Sequence, residues 1–169
     1  VIAGINKAID IAEEGDWKGL VIANNGENFS VGANLGMIFM MAVEQEMEEL
    51  DMAVRQFQNT TMRIRYSNIP VVVAPHGMAL GGGCEICLHA DRVQAAAETY
   101  IGLVEFGAGV IPGGGGSKEF AVRASDEYQN DNLRLPTIRE RFLTIGMAKV
   151  ATSSEEAFEF GLFRRGQDH

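Results

Sequence analysis

Residues 69–91 read Ile-Pro-Val-Val-Val-Ala-Pro-His-Gly-Met-Ala-Leu-Gly-Gly-Gly-Cys-Glu-Ile-Cys-Leu-His-Ala-Asp, and this stretch decides the fold. The β-branched run predicts a strand over residues 71–74, and the apolar pattern after the three glycines predicts a helix over residues 83–89. The first amides of a helix lack intrahelical partners and lie at the positive end of its dipole, so an uncovered helix start binds negative charge. Glu85 lies three residues after the middle glycine. An anion-binding amide beside an acid predicts chemistry on a carbonyl oxygen that becomes negative.

Composition limits the class of protein. The 169 residues suffice for one domain with a core, and 46% apolar with 22% charged residues is typical of soluble globular proteins. The net charge of −9 argues against a nucleic-acid partner and against an anionic membrane surface. No apolar stretch reaches the roughly 18 residues of a membrane span, and no signal-peptide pattern is visible at the start.

The two cysteines form a single C-x-x-C pair, Cys84 and Cys87. Such a pair can be redox-active or half of a metal site, but no second pair or histidine cluster supports a metal. The favoured interpretation is two small buried residues on one helix face. We therefore predict no metal and a reducing, cytoplasmic location.

Alternation of strands and helices predicts an α/β fold. Besides the two elements above, strands are predicted at residues 19–23 (buried) and around 92–96, with an exposed polar loop at 124–136. Helices are predicted at residues 1–13 (ended by Gly15), 37–65 (one helix, or two joined at a bend), 117–123 and 137–150, and from a Ser153–Glu156 capping box to Gly161.

The helix predicted over residues 37–65 is rich in methionine. Methionine is flexible and adapts to irregular surroundings. Core packing is the favoured interpretation of this face, and the alternative is the wall of a pocket for a flexible apolar chain. Its members are Met37, Met40, Met41, Met47, Met52 and Met62.

Four segments of the sequence carry the motifs. Residues 28–35 read Asn-Phe-Ser-Val-Gly-Ala-Asn-Leu, and residues 76–85 read His-Gly-Met-Ala-Leu-Gly-Gly-Gly-Cys-Glu. Residues 102–116 contain Gly-Leu-Val-Glu-Phe-Gly and Ile-Pro-Gly-Gly-Gly-Gly, and residues 154–162 contain Ser-Glu-Glu-Ala and Gly-Leu. In order and spacing they resemble the crotonase (enoyl-CoA hydratase/isomerase) superfamily. The resemblance covers residues 1–123 and 150–163. It implies a spiral of ββα units with a helical C-terminal part that binds an acyl-CoA thioester.

The resemblance also implies an oxyanion hole made by the backbone N–H groups of Ala33 and Gly82. One preorganised donor of this kind contributes on the order of 10²–10³ in rate. Small residues around both amides let the thioester approach the backbone. The substrate-binding positions carried over by motif are Gly32, Ala33, Asn34, Leu35, Gly81, Gly82 and Gly83.

Glu85 and Glu105 match the two acid/base positions of the family, of which hydratases carry both and isomerases often one. Two carboxylates can hold one water: one takes its proton as the oxygen adds to C3, and the other protonates C2. Such help contributes roughly 10²–10⁴ in rate. Two nearby carboxylates should also push their pKa values apart. Which glutamate is acid and which is base stays open, and ordinary surface acids are the alternative interpretation.

Other polar residues near the motifs receive structural interpretations. The glycine-rich loop at 107–116 lacks the nucleotide-binding fingerprints and is interpreted as backbone packed closely beside Glu105. His76 and His89 flank the glycine turn and are expected to be hydrogen-bonded structural residues. Four basic residues could meet CoA phosphates but are more simply solvated surface charges: Arg63, Arg65, Arg92 and Lys118.

The chain departs from the family pattern at Asn34, where aspartate is usual, and at Val104, where proline is common. We interpret residues 1–169 as a single crotonase-like domain that is incomplete at both ends and truncated at its N-terminus, with a divergent helical insertion at 124–150. The helical pattern that already begins at Val1 suggests a fragment of a longer protein. Residues 148–151 resemble hydratase domains fused to a 3-hydroxyacyl-CoA dehydrogenase.

We therefore expect an enoyl-CoA hydratase, a carbon–oxygen lyase of fatty-acid β-oxidation that adds water syn to trans-2-enoyl-CoA. No cofactor is expected, because coenzyme A is part of the substrate. Expected partners are acyl-CoA and further copies of the chain, as a trimer or dimer of trimers, or the rest of a multifunctional β-oxidation protein. The alternatives are enoyl-CoA isomerisation or another crotonase reaction, and a catalytically silent acyl-CoA-binding or assembly domain.

Overall fold

A computed structural model describes residues 1–127 and 134–169 of the chain. Its strands are β1 (Leu20–Ile22), β2 (Val71–Val73), β3 (Gly77–Leu80), β4 (Arg92–Val93) and β5 (Thr99–Gly102). Its helices are α1 (Ile2–Glu14), α2 (Leu35–Val43), α3 (Met47–Arg65), α4 (Gly82–His89), α5 (Gly116–Asp126), α6 (Arg134–Gly146) and α7 (Ser154–Glu159), with a 3-10 turn at Glu105–Ala108.

The described strands form two small parallel sheets. One sheet has the order β1-β2-β4, with Leu20 opposite Val71 and Val73 opposite Val93. The other pairs β3 with β5, so that Leu80 lies opposite Gly102. Strands that run parallel end at the same edge. The ends of β3 and β5 therefore bring the residues after Leu80 and those after Gly102 together.

The core lies between these sheets and the helices α1, α3, α4 and α5. Helix α1 buries Ile5 and Ile9 at the spacing predicted from its sequence, and it ends at Gly15. The largest completely buried apolar side chains come from elements far apart in the sequence: Ile9, Ile64, Leu88, Ile101, Leu103, Phe120 and Leu162.

The strand predicted at residues 19–23 is present as β1, but the prediction that it is buried is wrong. Strand β1 is an edge strand, and Val21 is 65% exposed while Leu20 and Ile22 pack against the core. Side chains of a strand alternate between its two faces, so a continuous apolar run does not establish burial on both. Strand β4 is also shorter than the stretch predicted around residues 92–96.

The segment predicted as one helix or two is two helices, α2 and α3. They are separated at Gln45, whose φ of 59° is left-handed and cannot continue a right-handed helix. No residue of α2 is buried, and five methionines of the predicted face are exposed, so core packing is the wrong interpretation for that set: Met37, Met40, Met47, Met52 and Met62. Among the described helices, none is both long and apolar enough to cross a membrane.

The C-terminal third is helical, and its boundaries differ from the prediction. Helix α6 starts at Arg134, so the loop predicted through residue 136 ends too late. Pro136 lies in the first turn of α6, where an N–H has no intrahelical partner and proline costs little. The predicted loop also begins too early, because residues 124–126 belong to α5 and Ala124 is buried, while residues 128–133 lie outside the described residues. Ser153 caps α7 as predicted, and Gly161 ends this segment with a φ of 71°.

Candidate active site

The glycine turn joins β3 to α4 and is packed too tightly for larger residues. Gly81 has a φ of 54° and donates its N–H to the Gly102 carbonyl at 2.9 Å. A Cβ added to Gly83 would lie 2.7 Å from the side chain of Ser30. The helix therefore begins beside the strand ends with two glycines, which have no side chains of their own to cover its first amides. This is the helix start predicted from the sequence.

The loop that contains Ala33 lies against this turn. Gly32 has a φ of 91°, and its ideal Cβ position is 3.2 Å from the Leu80 oxygen and 3.8 Å from the Gly82 nitrogen. Ala33 follows and is exposed. The structure thus brings the two predicted oxyanion segments together, with the Ala33 loop beside the Gly82 amide.

The remaining predicted substrate-binding residues of the loop lie at the start of α2. Asn34 is the N-cap of this helix, and its side-chain oxygen accepts a hydrogen bond from the Met37 amide at 3.2 Å. Asparagine can accept this bond as aspartate would, so the departure at this position keeps the cap while removing a charge. Leu35 is 54% exposed and begins the apolar, exposed surface of α2.

Glu85 is buried inside helix α4, with 2% of its surface exposed. Its Oε1 accepts a hydrogen bond from the Gly116 amide at 2.9 Å, at the N-terminus of α5. Burial raises the pKa of Glu85 to about 7, and the charge of Glu105 adds to this rise, while the amides of Gly116 and Gly114 oppose it. Glu85 is therefore no ordinary surface acid, because near neutral pH it is poised between its two protonation states.

Glu105 lies at the start of the 3-10 turn that follows β5. Its carboxyl oxygens are both buried, and neither has a hydrogen-bond partner among the described residues. Its Oε1 is 3.3 Å from the ideal Cβ position of Gly81, which places the carboxyl beside the glycine turn. Burial raises the pKa of Glu105. Burial thus raises the pKa of both carboxyls, and the charge of Glu105 raises that of Glu85 further, in the direction expected for two neighbouring acids.

One face of α3 closes the site from the side opposite the strands, and the sequence analysis missed it. The Phe57 ring lies 3.1 Å from the ideal Cβ position of Gly82. Gln58 donates to the Gly113 carbonyl and Thr61 to the Gly114 carbonyl, both at 2.7 Å. Phe57, Gln58 and Thr61 follow the i, i+1, i+4 spacing of one helix face, and this spacing is visible in the sequence. Their partner is a loop more than fifty residues away, which no local pattern indicates.

Behind Glu85 lies a buried charged cluster centred on Glu119, which the sequence analysis also missed. The Glu119 carboxylate contacts Lys118 at 2.8 Å and Arg65 at 3.1 Å. Burial alone would raise the pKa of Glu119, but contact with Lys118 and the charge of Arg65 hold it below its usual value. The interpretation of Arg65 and Lys118 as merely solvated charges is therefore wrong.

The other polar residues singled out in the sequence have structural partners. His89 hydrogen-bonds the Glu85 carbonyl through Nδ1 at 2.7 Å, and burial lowers its pKa to about 4. His76 binds the Gly26 carbonyl at 2.7 Å. Arg63 pairs with Asp10 of α1 at 2.7 Å. Arg92 is exposed and contacts the carbonyl oxygen of residue 167 at 3.1 Å, away from the glycine turn.

Cys84 and Cys87 are both buried in α4 and unbonded to one another, as predicted. Burial raises the pKa of both thiols, which keeps them protonated and unreactive. Within the part of the chain that the structure describes, no group of three or more His, Cys, Asp or Glu residues lies close enough to hold a metal ion.

The overall fold is that of the crotonases. An enoyl-CoA hydratase from Polaromonas sp. JS666 superposes on 96% of this chain and 58% of its own, with a TM-score of 0.78 and 24% identity. An enoyl-CoA hydratase from Bacillus anthracis covers 96% of this chain and 57% of its own, with a TM-score of 0.72 and 27% identity. The predicted crotonase-like α/β fold with a helical C-terminal part is confirmed.

Sequence comparison leads to the same group. Residues 2–127 match the family model described as enoyl-CoA hydratase/isomerase. The chain is 46% identical over 175 residues to a probable 3-hydroxyacyl-CoA dehydrogenase of Bacillus subtilis (strain 168), an alignment that covers all of this chain and 22% of the relative. It is 37% identical over 114 residues to a putative fatty acid oxidation complex trifunctional enzyme of Rickettsia felis, covering 68% of this chain and 16% of the relative. The chain belongs to the enoyl-CoA hydratase/isomerase family.

Proposed function

We propose that this chain is an enoyl-CoA hydratase domain that adds water syn across the double bond of trans-2-enoyl-CoA thioesters. The observation that carries the proposal is the pair of buried carboxyl groups, Glu85 and Glu105, beside a glycine turn that starts a helix. Family members that hydrate a double bond need two groups that exchange protons with one water. Both carboxyls of this chain have raised pKa values, which suits proton exchange near neutral pH.

In the proposed mechanism, the thioester oxygen accepts hydrogen bonds from the amides of Ala33 and Gly82. Negative charge that develops on this oxygen is stabilised by both donors and by the dipole of α4. A water molecule lies between the two glutamates. Glu105 has both oxygens free of protein partners in the described residues, and so it has lone pairs available to that water.

The proton balance of the proposed reaction closes on the two carboxyls. One carboxylate takes a proton from the water as its oxygen bonds to C3, and the other carboxyl gives a proton to C2. The electron pair of the C2=C3 double bond moves toward the thioester oxygen to form the enolate. The thioester carbonyl reforms when C2 takes the proton. Glu85, with a pKa of about 7, can serve in either direction. No metal or organic cofactor takes part, and coenzyme A belongs to the substrate.

The exposed apolar side chains of α2 suit the wall of an acyl-chain pocket in this proposal. The helix starts at Leu35, two residues after Ala33, so its surface begins where a bound thioester would lie. Met37 and Met40 are 61% and 52% exposed, and flexible methionines adapt to chains of different shape. We also propose that the domain works within a multifunctional β-oxidation protein or a homo-oligomer, since two relatives carry the names of a fatty acid oxidation complex trifunctional enzyme.

The test is hydration of crotonyl-CoA by the full-length protein, followed by loss of the enoyl-thioester absorbance. We expect Glu105→Gln to lower kcat by roughly 10²–10⁴, the usual contribution of an acid/base group. Glu44→Gln, the same change at an exposed residue that ends α2, is the control and should leave kcat unchanged. A product with a shifted double bond and no 3-hydroxyl would replace the proposal with isomerisation. Acyl-CoA binding without turnover would replace it with a silent binding domain.

A further inference from the structure

The glycine loop at residues 113–116 is held from outside by α3. Gln58 Nε2 donates to the Gly113 carbonyl at 2.7 Å, and Thr61 Oγ1 donates to the Gly114 carbonyl at 2.7 Å. Thr61 is 1% exposed, so its hydrogen bond is sheltered from water. Two consecutive peptide groups of the loop therefore have their carbonyls fixed on the side of α3.

The opposite side of the first of these peptide groups, between Gly113 and Gly114, faces Glu85. In a trans peptide the carbonyl and the next N–H point in opposite directions, and the described residues contain no cis peptide. Fixing the Gly113 carbonyl on α3 therefore turns the Gly114 N–H toward Glu85. The Gly116 amide donates to Glu85 Oε1 at 2.9 Å two residues later.

We propose that Gln58 and Thr61 are positioning residues for Glu85, because they hold the glycine loop in the one orientation that aims its amides at that carboxyl. This inference rests on the proposed function for its catalytic meaning, while the geometry concerns Glu85 alone. Glycine at residue 114 fits the arrangement, since a Cβ there would collide with both Phe57 and the Glu85 carboxyl.

Loss of these contacts changes the protonation of Glu85 in a defined direction. Amide donors favour the charged carboxylate, and those of Gly116 and Gly114 lower the pKa of Glu85 against the effect of burial. A loop freed from α3 donates less well, so the pKa of Glu85 rises above about 7. The other ionisable groups around it stay in place: Glu105 from the 3-10 turn, Cys84 and His89 from α4, Lys118 and Glu119 from α5, and Arg65 from α3.

The chain offers a matched control for Thr61. Thr60 is also completely buried on α3, but its hydroxyl donates to the Gln56 carbonyl and accepts from Asn6 of α1. Thr60→Val and Thr61→Val make the same change in adjacent residues, and only the second releases the glycine loop. Gln58→Met has an equivalent control in Gln56→Met, since both glutamines are exposed on α3 and folding tolerates changes there.

The experiment measures two properties of the full-length protein and of these four variants. The first is the pKa of Glu85, from the carboxyl carbon signal of protein labelled with ¹³C-glutamate and assigned with Glu85→Gln. The second is the pH profile of kcat and KM for crotonyl-CoA hydration. We expect Thr61→Val and Gln58→Met each to raise the pKa of Glu85 by about half a unit to one unit, the size of a lost amide hydrogen bond.

The apparent pKa of the limb of the kcat pH profile that reports Glu85 should rise by the same amount. The value of kcat at the optimum pH should fall about tenfold, because the carboxyl loses its fixed orientation. KM should change less than about twofold, since neither side chain is proposed to touch the substrate. Thr60→Val and Gln56→Met should leave the pKa and kcat unchanged.

The two proposals fail separately. If the parent protein does not hydrate crotonyl-CoA, the proposed function is wrong, and the carboxyl titration alone decides the positioning role. If Thr61→Val and Gln58→Met leave the pKa of Glu85 where the parent has it, or if the controls move it equally, the positioning role is overturned whatever the activity. Should Thr61→Val fail to fold, the exposed position of Gln58 still gives the decisive titration.

Discussion

Compared with the parent protein, the Glu85→Gln variant should gain free energy of unfolding as the pH rises from acid to neutral and alkaline values. The pKa of this carboxyl rises from 4.5 to about 7 on folding, chiefly because burial disfavours its charge. An acid whose pKa is raised in the folded state does not lower the free energy of unfolding at pH values below its unfolded pKa. Its cost grows as the pH rises through the folded pKa, so the window runs from 4.5 to about 7.

The size of the effect follows from the shift. Each pKa unit corresponds to about 1.4 kcal/mol, so ionising Glu85 in the folded state costs about 3 kcal/mol. With 2% of the residue exposed, solvent screening removes little of this. Glutamine keeps an oxygen that can accept from the Gly116 amide and carries no titratable proton. The difference in unfolding free energy between variant and parent should therefore shift by about 3 kcal/mol toward the variant between the two ends of the window.

The assay is urea unfolding followed by circular dichroism, at one pH below 4.5 and one above 7. Comparing the two pH values cancels any constant packing cost of the glutamine. Glu44→Gln, at an exposed position, supplies the control, and its effect should be the same at both ends. A variant-minus-parent difference that stays constant with pH would refute the reasoning, because it would mean that Glu85 does not titrate differently in the folded and unfolded chain.

Three further variants test the packing around the site. Gly114→Ala should destabilise the fold by about 2 kcal/mol or more, because its Cβ meets Phe57 and Glu85; a melting temperature equal to that of Gly4→Ala, where nothing lies within 4 Å, would contradict this. The Cys84→Ala, Cys87→Ala double variant should match the parent's rate of crotonyl-CoA turnover within about twofold, and the native thiols should react slowly with a disulfide reagent. Glu119→Gln should lower the unfolding free energy by about 1 kcal/mol in urea unfolding, since it removes the counter-charge of Arg65 and Lys118, which are partly exposed; an unchanged value would remove that role.

Local chemistry made the centre of this site predictable from the sequence. A β-branched run, a glycine turn and an apolar helix pattern are each decided within a few residues, and they correctly located β2, α4 and the helix start at Gly82. The resemblance supplied Glu85 and Glu105 as candidates, and the structure adds that both carboxyls are buried. Burial depends on neighbours distant in the sequence, which explains why the direction of the Glu105 shift was not predicted.

The errors share one physical cause, which is that periodicity shows which face is apolar but not what covers it. The run around Val21 looks like a buried strand, but β1 has a neighbour on one side only, and Val21 faces outward. The methionines of α2 look like core residues, but none of them is buried. Likewise Gln58 and Thr61 belong to an ordinary polar stretch until the glycine loop is placed against them.

The two buried glutamates differ in whether a protein group holds the carboxyl in place, and this difference bears on the role of each in the site. Glu85 has a protein donor, Gly116, so its carboxyl is held in one orientation whether or not a ligand is present. Glu105 has no such partner among the described residues, and an unpaired buried carboxyl costs stability that folding must offset elsewhere. A fold that needed only stability would satisfy or replace this group. In the proposed reaction the water and the substrate would be the partners of this carboxyl, so that one glutamate is oriented by the protein and the other by what it binds.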